Sequence, residues 1–455
     1  MTHAVSPMVT YLFAGLLVAM IAALAFEEKL HAKKSMITGL FATACLLIGA
    51  VAEVLPFDAA IALPGGHEVR LPVYVPAVDW EVIAIIFGAG LFIDVISRSG
   101  IFSWTAIRIT KLSGGDPRRL LTYYALLTVV FSAVLNNVAA MIIVGSLTAV
   151  SLGKLDRKDL MLGFLLTEGL LTNVGGLLTL ISSVPNIILG NMAGISFVSF
   201  VAIAAPYVVV CTALTVFVAV RLFGIRALAS DADRARAAEL VASFDETDGI
   251  DSPRFFKLSW LLLALFIVTI ATTAWIPYIR DLGMGYVAVS FAIVALVRYK
   301  HEVDKSYAAV DWDLLAFFTF LFVVVNVMEH AGVLELIGGG LRALLALGDA
   351  TGSAALLWSS SVASSVTDNV PLAAVLGKIL AGQGDASPAL WWSTIFGANL
   401  GGNFTPIGSA STVVAVAIIQ RHGMRMPFGA FVVRAAPFAI AQLALATAYV
   451  LLVVR

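Results

Sequence analysis

Val366-Thr367-Asp368-Asn369-Val370-Pro371 stands in the middle of an apolar run, where a charge, an amide and a proline are each costly. An earlier stretch, Val134-Leu135-Asn136-Asn137-Val138, repeats it, and Asn137 and Asn369 are 232 residues apart. The same interval separates Val78-Asp79-Trp80-Glu81 from Val310-Asp311-Trp312-Asp313. A constant interval across two unrelated motifs points to two copies of one membrane unit, with polar breaks facing each other across a site.

The surrounding composition sets the environment of those breaks. The chain has 455 residues, is 60% hydrophobic and only 13% charged, and has a mean hydropathy of +0.98. A soluble domain carries about 25% charged residues, so an all-α polytopic membrane protein is expected. The net charge of -1 identifies no partner, and no nucleic-acid partner is expected. Cys45 and Cys211 lie in apolar runs and read as small buried hydrophobes, without disulfide or metal spacing. The first residues carry no basic region, so the run at 8–26 is expected to remain as a spanning helix.

Further apolar runs near 36–55, 79–97, 200–222, 258–278, 284–299, 311–328 and 427–454 read as spanning helices. Four stretches are apolar but interrupted by Asn, Gly, Ser, Thr, Asp or Pro: 118–152, 160–192, 351–381 and 389–420. Segments 101–113 and 331–348 read as helices along the membrane faces. Residues 224–256 form a linker between a first repeat, 1–223, and a second, 257–455. It reads as an amphipathic or loose cytoplasmic segment.

Lysine and arginine placement fixes the topology. With the loop at 27–35 inside, 22 of the 28 basic residues fall inside and 4 outside, with Lys378 and Arg434 left within apolar segments. That bias holds only if 118–152 and 351–381 each enter and leave on one side, as re-entrant hairpins. Each half then has five spanning helices, one of them broken (about 160–192 and 389–420), and one hairpin. The halves have opposite orientation, an inverted repeat, with both termini outside.

The repeat continues past the hairpins. Thr172-Asn173-Val174-Gly175-Gly176 aligns with Ala398-Asn399-Leu400-Gly401-Gly402, and Ile181-Ser182-Ser183 with Ile407-Gly408-Ser409. Breaks at membrane depth expose amides, carbonyls and half-helix ends that bind ions or small polar solutes. The expected site therefore comprises the tips Asn136, Asn137, Asp368 and Asn369. It also takes in Glu168, Thr172, Asn173, Gly175, Ser182, Ser183 and Asn186 of the first broken helix. From the second come Asn399, Gly401, Thr405, Ser409, Ser411 and Thr412. A candidate sodium site lies near Asn137, Asn173, Asp368, Asn369 and Asn399. Asp368 and Glu168 are the acids expected to carry exchangeable charge, since intramembrane acids are costly and usually functional. Asp94 and Arg98, four apart, read as a structural pair. Glu53, Glu329 and His330 read as helix-end residues, and Trp80, Trp312, Trp391 and Trp392 as an interfacial belt.

The order of elements resembles the ion transporter superfamily, within it the branch of the arsenite pump membrane subunit, the P (melanosomal) protein and related permeases. Val134–Val138, Thr172–Gly176, Val184-Pro185-Asn186 and Asp368-Asn369-Val370-Pro371 carry the resemblance, and the last is also similar to the hairpin of the D-type sodium/proton antiporters. The resemblance implies a scaffold, a transport domain bearing both hairpins, a homodimer through the scaffold and elevator-type movement. It implies no cofactor, a proton or sodium as coupling ion, and a plasma (inner) membrane location. On the arsenite-pump side it implies a separate ATPase subunit. Two departures stand out. The family's acidic first tip is Asn136, and its usual Gly-Asp-Pro-Pro-Asn is Ser182-Ser183-Val184-Pro185-Asn186. The Ser-Asn-Thr tips of the dicarboxylate carriers are missing, which ranks carboxylate transport below ion exchange.

No His-Glu-x-x-His, Gly-x-Ser-x-Gly or Walker motif occurs, so enzyme chemistry is not expected. The function expected is a secondary transporter of a small inorganic ion in membrane lipid, most simply a cation/proton antiporter. The alternatives are an arsenite or other inorganic solute efflux carrier and, behind it, a carboxylate symporter or a channel.

Overall fold

A computed structural model of the chain describes residues 5–57, 60–62, 68–345, 348–367, 369–384, 386–406 and 408–454. The first half holds α1 (Pro7–Ala25), α2 (Glu27–Leu30), α3 (Lys34–Val51), α4 (Trp80–Ser97), α5 (Ile101–Ser113), α6 (Pro117–Val134), α7 (Asn137–Lys154), α8 (Met161–Gly175), α9 (Val184–Met192) and α10 (Phe197–Leu222). After α11 (Asp231–Ala242) come α12 (Pro253–Thr272), α13 (Ile279–Arg298), α14 (Val303–Ala309), α15 (Trp312–His330), α16 (Val333–Leu345) and α17 (Asp349–Val366). The chain closes with α18 (Asn369–Ala381), α19 (Pro388–Gly401), α20 (Ala410–Arg421) and α21 (Phe428–Val453). Among the described residues the strands are one small pair in the loop before α4, β1 (Ala60–Ala62) and β2 (Glu68–Arg70), antiparallel with Ile61 opposite Val69.

Nine of these helices are long and apolar enough to cross a membrane: α1, α3, α4, α7, α10, α12, α13, α15 and α21. The protein is an all-helical polytopic membrane protein. Both interrupted pairs are helical hairpins. At the first, Leu135 and Asn136 take extended backbone, which turns the chain, and the Asn136 side chain accepts from Ala139 N at 2.7 Å to cap α7. The base of that hairpin is capped by Asp116, which accepts from Arg118 N and Arg119 N, with Pro117 in the first turn.

Both long crossings are broken where glycine pairs end the helix. Past α8, Gly175 and Gly176 give way to a short 3-10 turn, extended Ser183, and Pro185 in the first turn of α9. Past α19 the chain leaves the helix at Gly402 and restarts from extended Ser409, which caps α20 through Thr412 N.

The two halves pack reciprocally. α4 lies on α13 while its counterpart α15 lies on α3, and α6 on α8 matches α17 on α19. Hydrogen bonds repeat in the same way. Trp80 Nε1 donates to Val75 O at 3.1 Å and Trp312 Nε1 to Tyr307 O at 3.0 Å. Glu81 accepts from Gly285 N on α13, and its counterpart Asp313 accepts from Ser35 at the start of α3.

Two features differ from the sequence reading. Trp391 and Trp392 are buried, at 8% and 1% exposure, and do not join an interfacial belt. They lie on α19, which is enclosed on every side, and Trp392 packs on Phe200 and Phe396. Trp80 and Trp312 remain exposed. The linker is docked rather than loose. Val241 and Phe244 are buried, Leu228 N donates to Asp116 at 2.8 Å, and Glu246 pairs with Arg108 and Lys111. Glu329 lies at the end of α15 as expected, and its carboxylate meets Lys378 at 3.0 Å. The Asp94–Arg98 pair is present at 2.7 Å, with Glu302 as a second partner of Arg98 at 3.4 Å.

Candidate functional site

Each hairpin is seated on the broken helix of its own half by the same two bonds. Ser132 Oγ donates to Thr172 O, and Ser364 Oγ to Ala398 O, both at 2.6 Å. Thr179 Oγ1 donates to Ala133 O at 2.7 Å, and Thr405 Oγ1 to Ser365 O at 2.6 Å. Glycine makes this approach possible. A Cβ on Gly175 would stand 2.7 Å from Val129 Cα and O, and one on Gly401 2.7 Å from Ser364 Cβ. Thr172 spends its hydroxyl on Gly169 O within its own helix.

At the centre the two broken helices exchange partners. Asn173 of α8 reaches into the second half, donating to Asn403 Oδ1 at 2.8 Å and Ser409 Oγ at 3.0 Å. Its Oδ1 accepts from Asn137 Nδ2 and Ser411 Oγ, both at 3.3 Å. Asn399 of α19 reaches into the first half. It accepts from Ser183 Oγ at 2.6 Å and donates to Asn186 Oδ1 at 2.9 Å. Asn186 is more than a cap, since its amide also holds Gly176 O and Thr179 O across the break. Thr412 bonds Ser409 O and Pro406 O. Among the described residues this centre is built of amides, hydroxyls and backbone, mostly buried, and its side chains are uncharged. Such groups offer both donors and acceptors without a fixed charge.

Two residues of the centre escaped the sequence reading. Asn403 bonds Leu170 O and Gln442 Oε1, and Gln442 donates onward to Thr215, all fully or nearly fully buried. Asn403 follows Gly401-Gly402, but its repeat counterpart is Leu177, so alignment of the halves passed over it. For Gln442 the signal was a lone amide in a 26-residue apolar helix.

A cavity of about 380 Å³ lies between the first tip and the helices α4 and α15. Asn136 and Ser182 line it, with Ser97, Asp94 and Asp311; the rest of the wall is apolar and holds no Lys or Arg. Ser182 is satisfied by Gly176 O and Thr179 O. Away from this cavity, the hairpin and broken-helix group is tied to α4 and α15 at two points. Asn191 Nδ2 donates to Asp79 at 3.1 Å, and Lys378 pairs with Glu329. The repeat counterparts of Asp79 and Glu329 are Asp311 and Ser97, the residues that line the open cavity.

The remaining expected residues are placed as follows. Asn369 opens α18 half-buried, and no hydrogen bond among the described residues ties its side chain to the centre. Asp368 lies outside the described residues. Glu168 is buried on α8 beside Thr148 of α7, away from the crossed amides.

A helical membrane body with two interrupted crossings converging on an uncharged polar centre defines a membrane transporter. Residues 24–396 match the profile of the family described as CitMHS, citrate transporter, and the chain belongs to that family. An uncharacterized transporter of Mycobacterium tuberculosis H37Rv is 29% identical over 387 residues, covering 82% of this chain and 86% of that one. The arsenical pump membrane protein of Escherichia coli K12 is 24% identical over 379 residues, covering 82% and 86%. The human P protein is 24% identical over 473 residues, covering 86% of this chain and 54% of its own length. Among solved structures, the YdaH transporter of Alcanivorax borkumensis superposes with a TM-score of 0.59 at 15% identity, over 92% of this chain and 97% of that one. These relatives carry the resemblance to the ion transporter superfamily and its arsenite-pump and P protein branch.

Proposed function

We propose that this transporter is a secondary carrier moving a small inorganic ion coupled to protons or sodium, most simply a cation/proton antiporter. The observation that carries the reading is the cavity at Asn136 and Ser182. Asp94, held by Arg98 at 2.7 Å, and Asp311, which caps α15, line it, and no Lys or Arg does. A di- or tricarboxylate would find none of the paired Arg or Lys that recognises carboxylates on this lining. A small cation is drawn to such a wall, and the oxygens of Asn137, Asn173, Ser409 and Ser411 supply neutral ligands beyond it. Asp368 enters this proposal on its sequence position at the second tip.

The reciprocal packing of the halves supports an inverted repeat, with hairpins and broken helices moving against α4, α13 and their counterparts as an elevator. The ties at Asp79 and Glu329, set against the open cavity at Asp311 and Ser97, support one sidedness for the state described. The second reading is efflux of arsenite or a similar uncharged oxyacid. The neutral centre and the arsenical pump relative both favour it. A homodimer, a plasma-membrane location with both termini outside, and a partner ATPase for the second reading belong to the same proposal.

Proteoliposomes of the full chain test it in three arms: proton flux on a sodium pulse, arsenite counterflow and citrate uptake. Sodium-driven proton flux that is lost in Asp368→Asn is the expected result. Arsenite counterflow without that flux would favour the second reading. Accumulation of citrate alone would overturn both.

A further inference from the structure

Glu168 is fully buried between α8 and α7. Thr148 Oγ1 donates to its Oε1, while Oε2 has no partner among the described residues. The elements packed on α8 carry Arg118, Arg119, Lys154, Lys158, Asp159, Arg221, Arg421 and Arg434, and none of these bonds the Glu168 carboxylate among the described residues. Tyr124 of α6, a helix packed on both α7 and α8, is buried on the same side. The Tyr124 hydroxyl bridges Thr110 Oγ1 at 2.6 Å and Ser151 Oγ at 2.7 Å, and Ser151 stands one turn beyond Thr148 on α7. These three hydroxyls form a buried cluster on the α7 side of the acid, bonded to one another and not to Glu168.

The fold does not require this cluster. In the second half the counterparts of Tyr124 and Thr148 are Leu356 and Leu380, buried at 1% and 0%. The counterpart of Glu168 is Thr394, whose hydroxyl turns back to Leu390 O at 3.0 Å. Leucine fills the same packing without a polar group. A buried acid costs several kcal/mol unless compensated, so its retention in one half alone marks a use other than packing.

We infer that Glu168 is a proton-binding site, separate from the crossed amide centre, that couples proton uptake to the first hairpin tip. This rests on the reading of the chain as an ion-coupled carrier. The ligand is a proton rather than a metal cation because the space is closed and the donors are few. A Cβ on neighbouring Gly169 would stand 2.7 Å from Ala415 Cβ, and one on Gly145 2.8 Å from Met141 Cε. Neither described cavity is lined by Glu168, and Thr148 is the one hydrogen-bond partner of the carboxylate among the described residues. The step is COO⁻ plus H⁺ giving COOH, the proton being exchanged with water when the α7–α8 contact opens. The coupling is mechanical. α7 begins at Asn137 and α8 carries Asn173, so a change in the Thr148–Glu168 tie moves the two helices that hold the Asn137–Asn173 bond.

The test is infrared difference spectroscopy of the purified full-length chain in nanodiscs while the pH is stepped. A carbonyl stretch of a protonated carboxylic acid that titrates, is lost in Glu168→Gln and is displaced in Thr148→Val supports the inference. A titrating band unchanged in both variants, or none in the wild type, overturns it. If Glu168→Gln does not fold, Thr148→Val decides alone. In proteoliposomes, Glu168→Gln should lose accumulation driven by a pH gradient, and Thr148→Val should shift its pH dependence. Failure of all counterflow in the wild type would instead sink the carrier reading, and the carboxyl band would still judge Glu168.

Discussion

Replacing Gly175 by alanine probes the seat of the first hairpin. The new Cβ would stand 2.7 Å from Val129 Cα and O and 3.0 Å from Ser132 Cβ. Two of those three atoms are backbone, so α6 must retreat by about 0.7 Å to reach ordinary contact. Ser132 travels with it, and its bonds to Thr172 O at 2.6 Å and Asn137 Oδ1 at 2.7 Å stretch toward the limit of a hydrogen bond. Overpacking costs about 1–3 kcal/mol. The weakened bonds add about 1 kcal/mol, and better helix propensity returns somewhat less than that at a terminal position. The net loss is about 1–3 kcal/mol. Gly15→Ala is the control: it lies inside α1 with nothing within 4 Å of the new atom and should be neutral or stabilising. Thermal unfolding in detergent, followed by size-exclusion fluorescence, reads both, and ion counterflow reads the tip. Equal midpoints for Gly175→Ala and Gly15→Ala would refute the close seat.

Three further outcomes are expected. Asn173→Leu leaves Asn403 Oδ1 and Asn137 Nδ2 short of a partner and should cost about 2–4 kcal/mol, with transport lost; a wild-type melting curve would contradict the crossed centre. Asn191→Ala with Lys378→Gln removes both ties to α4 and α15. Each tie is worth up to about 1 kcal/mol, a factor of about 5 in a two-state population, so an Asn136→Cys probe should label more slowly from the cavity side. Asp116→Ala uncaps α6 and releases Leu228 N, which should cost about 1–2 kcal/mol and speed proteolysis within 224–256; an unchanged digestion pattern argues against a docked linker.

Much of the architecture was legible because lipid permits few alternatives. Apolar runs, tips at Asn136 and Asn369 and breaks at the two glycine pairs follow from length, period and the cost of unpaired backbone in a bilayer. The repeated Asn-x-Gly-Gly pattern, its interval shortened from 232 to 226 past the hairpins, then located Asn173 and Asn399 before any contact was known. What could not be read was direction. A hydroxyl such as Ser183 can bond its own helix or cross to another chain segment, and only packing shows that it reaches Asn399 at 2.6 Å. Asn403 and Gln442 were hidden because they break the repeat instead of obeying it. Trp391 and Trp392 misled because tryptophan suits both an interface and a core, and sequence does not say that α19 is wrapped all round.

The exchange of partners at the centre also orders events at birth. Asn173 precedes Ser409 by 236 residues and Asn186 precedes Asn399 by 213. At ribosomal speed, Asn173 waits roughly 10–50 s for its neighbour to be made. During that delay its amide must be sheltered by water or by the insertion machinery. A nascent chain stopped short of Gly401 would therefore leave unmet amides in hydrocarbon and present itself for degradation.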